Sequence, residues 1–238
     1  GRNQADPLGM LDTIVQGTRR VLEFAHVSEA RGVLLTSSGA VYGKLTSDWG
    51  PVSEEYTGSL DPLDPTLAHG HGKRMAEQLA ALYHDLHGLP VKLARCFAFV
   101  GPYLPLDRHF AIGNFIRAGL AGGPIVIKGD GTPIRSYLYA ADLVIWLWKI
   151  LFDAPPQRPF NVGSREAISI EALAHAVAGA FYPPPKVIRL QTPDRGLTPE
   201  CYVPRVDRAR DELGLTQAID LQEGIARTIR WHRERRQA

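Results

Sequence analysis

An α/β fold built on a doubly wound parallel sheet is predicted by three observations. Helical and strand-like patterns alternate through the first hundred residues. The strand-like runs are short and apolar, as central parallel strands covered on both faces must be. Glycine or proline punctuates the joints between them.

The elements follow in order. Asp6-Pro7 pairs an N-cap residue with proline at the first helical position. Leu11, Ile14, Val15, Thr18, Val21, Leu22 and Ala25 then recur at helical spacing and predict a helix over 7–27. Gly32 breaks the chain before Val33-Leu34-Leu35-Thr36, an apolar strand that runs into the hydroxyls Ser37 and Ser38. A second helix over 66–87 carries Met75, Leu79, Leu82 and Leu86 and ends at Gly88-Leu89-Pro90. A strand over 91–97 completes the βαβ alternation.

Beyond Gly101 the pattern loosens, with prolines at 102, 105, 124 and 133. Helices are expected over 109–121, 139–152 and 169–181, and Pro183-Pro184-Pro185 forces an extended connector. No internal repeat and no low-complexity tract is present.

Composition narrows the function. The chain has 238 residues, enough for a substantial core, with 27 basic and 25 acidic residues and a net charge of +2. That balance gives no nucleic-acid footprint, and the basic stretch 227–235 reads as a solvated helix face. Two cysteines, Cys96 and Cys201, cannot frame a disulfide scaffold and suit a reducing cytoplasm. No apolar run reaches membrane-spanning length. His69 and His71 lie two apart, on different sides of a helix, and no thiol or carboxylate set completes a metal site.

The chemistry concentrates in two segments. Thr36-Ser37-Ser38-Gly39-Ala40-Val41-Tyr42-Gly43 ends a strand in hydroxyls, and His69-Gly70-His71-Gly72-Lys73 opens a helix. His69 and Lys73, four apart, share one helix face. Further along stand Arg95-Cys96-Phe97-Ala98-Phe99-Val100-Gly101-Pro102 and a run from Gly129-Asp130-Gly131 through Arg135-Ser136-Tyr137 to Asp142. Asn161-Val162-Gly163-Ser164 and Ala209-Arg210-Asp211-Glu212-Leu213-Gly214 follow. In this order the five segments resemble the extended short-chain dehydrogenase/reductase superfamily, in its NAD-dependent nucleotide-sugar epimerase/dehydratase branch.

That resemblance implies a Rossmann-like domain over 1–101, to which 135–163 returns, and a smaller α/β substrate domain over 102–238. It implies NAD as cofactor and a nucleotide-activated sugar as substrate. Ser38, His69 and Lys73 take the catalytic positions, and Thr36, Ser37, Lys73 and Arg95 the cofactor side. Ser38, Ala98, Asn114, Arg135 and Arg195 take the substrate side, with Arg135 and Arg195 as forks for the diphosphate. The helices near 7–27 and 66–87 are expected to form a homodimer interface. The family's glycine-rich turn is absent, since Gly129-Asp130-Gly131 lacks a third glycine and Gly72-Lys73-Arg74 lacks the pattern of a P-loop. The family's first βαβα portion is accordingly expected to be missing.

Two departures shape the expected reaction. A histidine, His69, stands where the family has its tyrosine base. An imidazole titrates near 6.5 and needs no activation, but it is shorter than a phenol. Three outcomes stay open: His69 is the base, a neighbour such as Tyr42 or Tyr103 replaces it, or the site is inactive. Gly39 and Ala40 stand where dehydratases and decarboxylases of the family carry acids. Elimination is therefore disfavoured, and epimerisation through a transient keto-sugar is expected over dehydration or simple reduction. A sugar-nucleotide-binding protein without turnover is the competing reading.

Overall fold

The computed structural model describes residues 6–108, 110–194 and 196–237. Helix α1 (Pro7–Val27) starts as its sequence dictates, with the Asp6 carboxylate accepting the Gly9 N–H at 2.9 Å. Strand β1 (Val33–Ser38) runs two residues further than the apolar pattern predicts, because Ser37 and Ser38 keep their pairing with Arg95 and Cys96. Helix α2 (Ala68–His87) stops at Gly88, whose left-handed φ of 69° closes the last turn. Strand β2 (Val91–Cys96) lies parallel to β1, from Val33 opposite Val91 to Ser38 opposite Cys96.

Strand β3 (Phe99–Val100), α3 (Ala111–Leu120) and β4 (Ile125–Ile127) follow. Then come β5 (Ile134–Arg135), β6 (Leu138–Tyr139), α4 (Ala140–Asp153) and β7 (Pro159–Val162). The last elements are β8 (Ile168–Ser169), α5 (Ile170–Gly179), β9 (Val187–Arg189), β10 (Cys201–Tyr202), α6 (Asp207–Leu213) and α7 (Leu221–Gln237). The three helices expected past Gly101 are therefore present as α3, α4 and α5, each a little shorter than or offset from its predicted span. Ser169 caps α5 by accepting the Ala172 N–H at 3.1 Å.

The main sheet has the order β1-β2-β7, all parallel. It is covered on both faces, which is why the strands are apolar over most of their length, while Lys92, Arg95 and Asn161 are held by hydrogen bonds. Leu93 joins Leu22, Ala25, Ala80 and Leu89 in the layer beneath α1 and α2. The next residue, Ala94, joins Trp146, Ile150, Phe160 and Leu213 in the layer beneath α4 and α6. A third core gathers α3, α5 and α7 around the parallel pair β4–β9, with Ile112, Ile116, Ile125, Leu173, Val177 and Ile229 at its centre. The basic stretch of α7 is only in part the solvated face that its charge suggests. Arg233 lies 5.3 Å from the Phe181 ring centre and Arg235 4.9 Å from that of Trp231.

Between β1 and α2 the chain makes a 3₁₀ turn, Gly39–Tyr42, and the start of α2 presses against it. A Cβ on Gly70 would stand 2.6 Å from the Ala40 carbonyl oxygen, so only glycine lets the helix approach this closely. Gly70→Ala is expected to cost about 1–3 kcal/mol of unfolding free energy through forced separation of helix and turn. A urea titration checks this; an unshifted midpoint would mean that α2 can slide away freely.

Candidate active site

The carboxyl end of β1 delivers Ser38 beside the first turns of α2. The Ser38 Oγ accepts the Ala40 N–H at 3.1 Å, which fixes the oxygen and leaves its proton to point elsewhere. His69 and Lys73 come from the facing side of α2, both half-buried. The Lys73 ammonium donates to the Thr36 carbonyl at 2.7 Å, so strand and helix are stitched across the site. Burial, and then the Lys73 charge, hold the His69 imidazole below its usual value. Burial also lowers Lys73, against the opposing pull of Cys96 and Glu77.

Cys96, paired in register with Ser38, belongs to the same cluster. Burial pushes its thiol up to about 11 even with Lys73 nearby, so it is a neutral wall rather than a thiolate. Tyr202, from β10, completes the group. Its hydroxyl lies against Gly39, 2.7 Å from where a Cβ on that glycine would stand, and burial pushes the phenol up to about 12. Neither residue was among the candidates read from the sequence. Cys96 could have been found by pairing the ends of β1 and β2; Tyr202 carries no local signal.

Ser37 and Arg95 face away from this cluster. Side chains alternate along a strand, so Thr36 and Ser38 share one side of β1 and Ser37 takes the other. Ser37 Oγ donates to the Glu77 carboxylate. Arg95 grips the same carboxylate through Nε at 3.0 Å and Nη2 at 2.7 Å, with side-chain exposures of 14% and 13% for the pair. Its Nη1 donates to Tyr42 Oη at 3.0 Å, and Tyr42 donates onward to Asn161 Oδ1 at 2.8 Å. Tyr42 is thus absorbed in an internal network, and burial pushes its phenol up to about 12. Tyr103 packs at a tilt on Trp231, 4.6 Å between ring centres.

The substrate-side candidates are spread over other elements. Arg135, on β5, pairs with Glu200 at 3.1 Å. Asn114 Nδ2 donates to the carbonyls of Arg108 at 2.8 Å and Phe110 at 3.1 Å, tying down the start of its own helix. Ala98 bridges β2 and β3, and its carbonyl accepts the Leu138 N–H at 3.0 Å. Arg195 lies outside the described residues. Among the described residues no cluster of metal-ligating side chains occurs, and no helix is long and apolar enough to cross a membrane.

A hydroxyl, an imidazole held below its usual value and an ammonium gather near the end of a parallel strand, where doubly wound folds place their chemistry. The family model described as "NAD dependent epimerase/dehydratase family" matches residues 1–163, and the chain belongs to that family. UDP-glucuronic acid decarboxylase 6 of Arabidopsis thaliana is 31% identical over 221 residues, 92% of this chain and 62% of that protein. UDP-glucuronic acid decarboxylase 1 of the same plant is 32% identical over 230 residues, 97% of this chain and 52% of that protein. The chain spans 50–63% of the length of the six plant decarboxylases it matches. Among solved structures, the dTDP-glucose 4,6-dehydratase DesIV of Streptomyces venezuelae, with NAD and TYD bound, superposes with a TM-score of 0.81. It is 26% identical and covers 99% of this chain and 70% of that one. UDP-glucose 4-epimerase from Thermotoga maritima, at 20% identity and a TM-score of 0.84 over 97% of this chain and 72% of that one, shares the fold.

The Glu77–Arg95 pair carries a testable consequence. Breaking a buried ion pair from one side leaves an unpartnered charge, at a cost of roughly 3–5 kcal/mol. Glu77→Gln is expected to destabilise the fold by that order in denaturant unfolding, and to loosen Ser37 and Tyr42 together. A loss below about 1 kcal/mol would show that water enters and replaces the carboxylate.

Proposed function

We propose that this chain belongs to an NAD-dependent enzyme that inverts a hydroxyl-bearing carbon of a nucleotide-activated sugar. One observation carries the choice of epimerisation over elimination. At position 39 there is no room for an acid, because a Cβ would lie 2.7 Å from Tyr202 Oη and 2.8 Å from the Phe97 ring. Position 40 is alanine, so neither site that would carry an elimination or decarboxylation acid can supply one.

The residues on the cofactor side fit NAD in part. Thr36 and Lys73 line an open groove of about 330 Å³ between α1 and β1, with Thr13, Ile14 and Gly17 opposite. Lys73 would reach the nicotinamide ribose, and Thr36 would line its path. Ser37 and Arg95 are engaged elsewhere and support the site from behind. NAD, when bound, supplies the acceptor for hydride. Ser38 holds the reacting hydroxyl of the sugar, and an imidazole nitrogen of His69 takes its proton and later returns it. Burial and the Lys73 charge favour the unprotonated imidazole before the transfer, so the imidazolium formed gives its proton back readily. Arg135 holds the diphosphate once Glu200 is displaced. In this reading residues 1–101 with 135–163 form the cofactor side and 102–238 the sugar side.

A non-catalytic sugar-nucleotide-binding protein is the second reading, favoured by the imidazole in place of a phenol on α2. Both are tested by incubating the protein with NAD and either UDP-glucose or UDP-glucuronic acid, and following the sugar by proton NMR. An inverted sugar with its carbons intact is expected; a pentose with release of carbon dioxide would overturn epimerisation. His69→Tyr is expected to lower turnover at least about tenfold, since the site is built around a shorter base. A rise in turnover would instead mark a decayed enzyme.

The outer faces of α1 and α2 support a homodimer. Phe24 (73% exposed) and Val27 (81%) on α1 lie open, as do Leu82 (44%) and Leu86 (69%) on α2. A second copy related by a two-fold axis would cover them in a four-helix interface. Phe24→Asp is expected to convert a dimer into a monomer in sedimentation velocity. A monomeric unaltered protein at tens of micromolar would remove this proposal.

A further inference from the structure

The guanidinium assigned to the diphosphate is already occupied by an anion. Arg135 Nη2 lies 3.1 Å from Glu200 Oε1, with side-chain exposures of 23% and 54%. Arg135 Nη1 donates to the Ile134 carbonyl at 2.8 Å, which fixes the plane of the fork. The backbone around Glu200 is pinned as well. Its carbonyl accepts the Ile134 N–H at 2.7 Å, and the Leu45 carbonyl accepts the Cys201 N–H at 2.9 Å. On the other side the Pro199 carbonyl accepts the Ser47 N–H at 2.9 Å, and Thr46 bridges Glu200. The exposed Glu200 side chain can therefore swing off Arg135 while its backbone stays in place.

We propose that Glu200 is a selectivity residue: its carboxylate occupies Arg135 until a nucleoside diphosphate displaces it, and so refuses the fork to small free anions. The inference rests on the nucleotide-sugar reading above and adds what governs entry to that site. A carboxylate and a phosphate offer a guanidinium the same pair of oxygens, so the two compete for one fork. The carboxylate is tethered, and a tethered group competes at an effective concentration on the order of millimolar. Inorganic phosphate brings no further contact and meets that competition alone. A nucleoside diphosphate also brings its nucleoside and a second phosphate, so it displaces Glu200 at lower concentration. Because Glu200 is half open to water, its release costs little. The pair is strong enough to screen and weak enough to open.

Glu200→Gln keeps the shape of the side chain and removes its charge. Titration calorimetry with UDP, with uridine, and with UDP in millimolar inorganic phosphate is the test. The variant is expected to bind UDP about two- to fivefold more tightly, the worth of one partly exposed ion pair, and uridine as before. Phosphate is expected to weaken UDP binding to the variant and to leave that of the unaltered protein as it was. A UDP affinity that is unchanged or lower in the variant, or an equal gain for uridine, would overturn the inference. Phosphate that weakens UDP equally in both proteins would overturn it too. If neither protein binds UDP or uridine, the nucleotide-sugar reading itself fails and takes the inference with it. A readout on the unaltered chain covers a variant that does not fold. Glutamate carrying carbon-13 at Cδ at position 200 alone should shift on adding UDP and hold still with uridine or millimolar phosphate; no shift with UDP, or the same shift with phosphate, refutes the proposal.

Discussion

The bidentate grip of Arg95 on Glu77 is the constraint on which the site depends. It joins β2 to α2 where both are nearly closed to water, and Ser37 on β1 shares the same carboxylate. The network runs on through Tyr42 to Asn161, whose own N–H is accepted by Glu54 at 2.8 Å. Three parallel strands, a helix and the loop after the 3₁₀ turn are thereby indexed to one another. Ser38 is the next residue after Ser37, and Lys73 lies one turn before Glu77. The geometry of hydroxyl and ammonium is set from behind, by groups that do not themselves enter the site. Fully satisfied buried networks of this kind fix one arrangement more than they add net stability.

The chemistry in front of that network follows from shared desolvation. Withdrawal from water disfavours every charge, so it lowers His69 and Lys73 and raises Cys96 and Tyr202. The Lys73 ammonium has the Thr36 carbonyl and the Glu77 charge to hold it. A phenol base on α2 would need that ammonium to depress it by several units. An imidazole needs no such depression; burial first and the lysine second already hold it low. The exchange of tyrosine for histidine changes what Lys73 does while leaving it where it was.

Much of this was legible in the sequence, and the reasons for the rest are physical. Apolar runs bounded by glycine and proline located β1, β2, α1 and α2 because those elements bury their faces against one another locally. Ser38, His69 and Lys73 were legible because a strand end and a helix face each follow from short periods. The roles assigned to Ser37 and Arg95 came from a motif read as a block. The alternation of the strand sends Ser37 to Glu77, and Arg95 meets the same carboxylate. Asn114 was placed on its helix while Arg135 was read only within a motif and not on a strand, and each is held by protein partners that no motif specifies. Tyr202 could not be read at all, since its proximity to Ser38 exists only once β10 has paired with β5 and been anchored to Leu45.

That long-range contact also changes how the missing acid at position 39 is understood. Taken from sequence, Gly39 is an absence: a carboxylate that is not there. In the folded chain the space beside Gly39 is filled, by the Tyr202 hydroxyl on one side and the Phe97 ring on the other. The Cβ of an acid placed at 39 would first have to expel the phenol and shift the ring packed on it. Two residues far apart in the chain, Gly39 and Tyr202, thus form one structural unit. Gly39 marks only the half of that packing contact that a local motif can show.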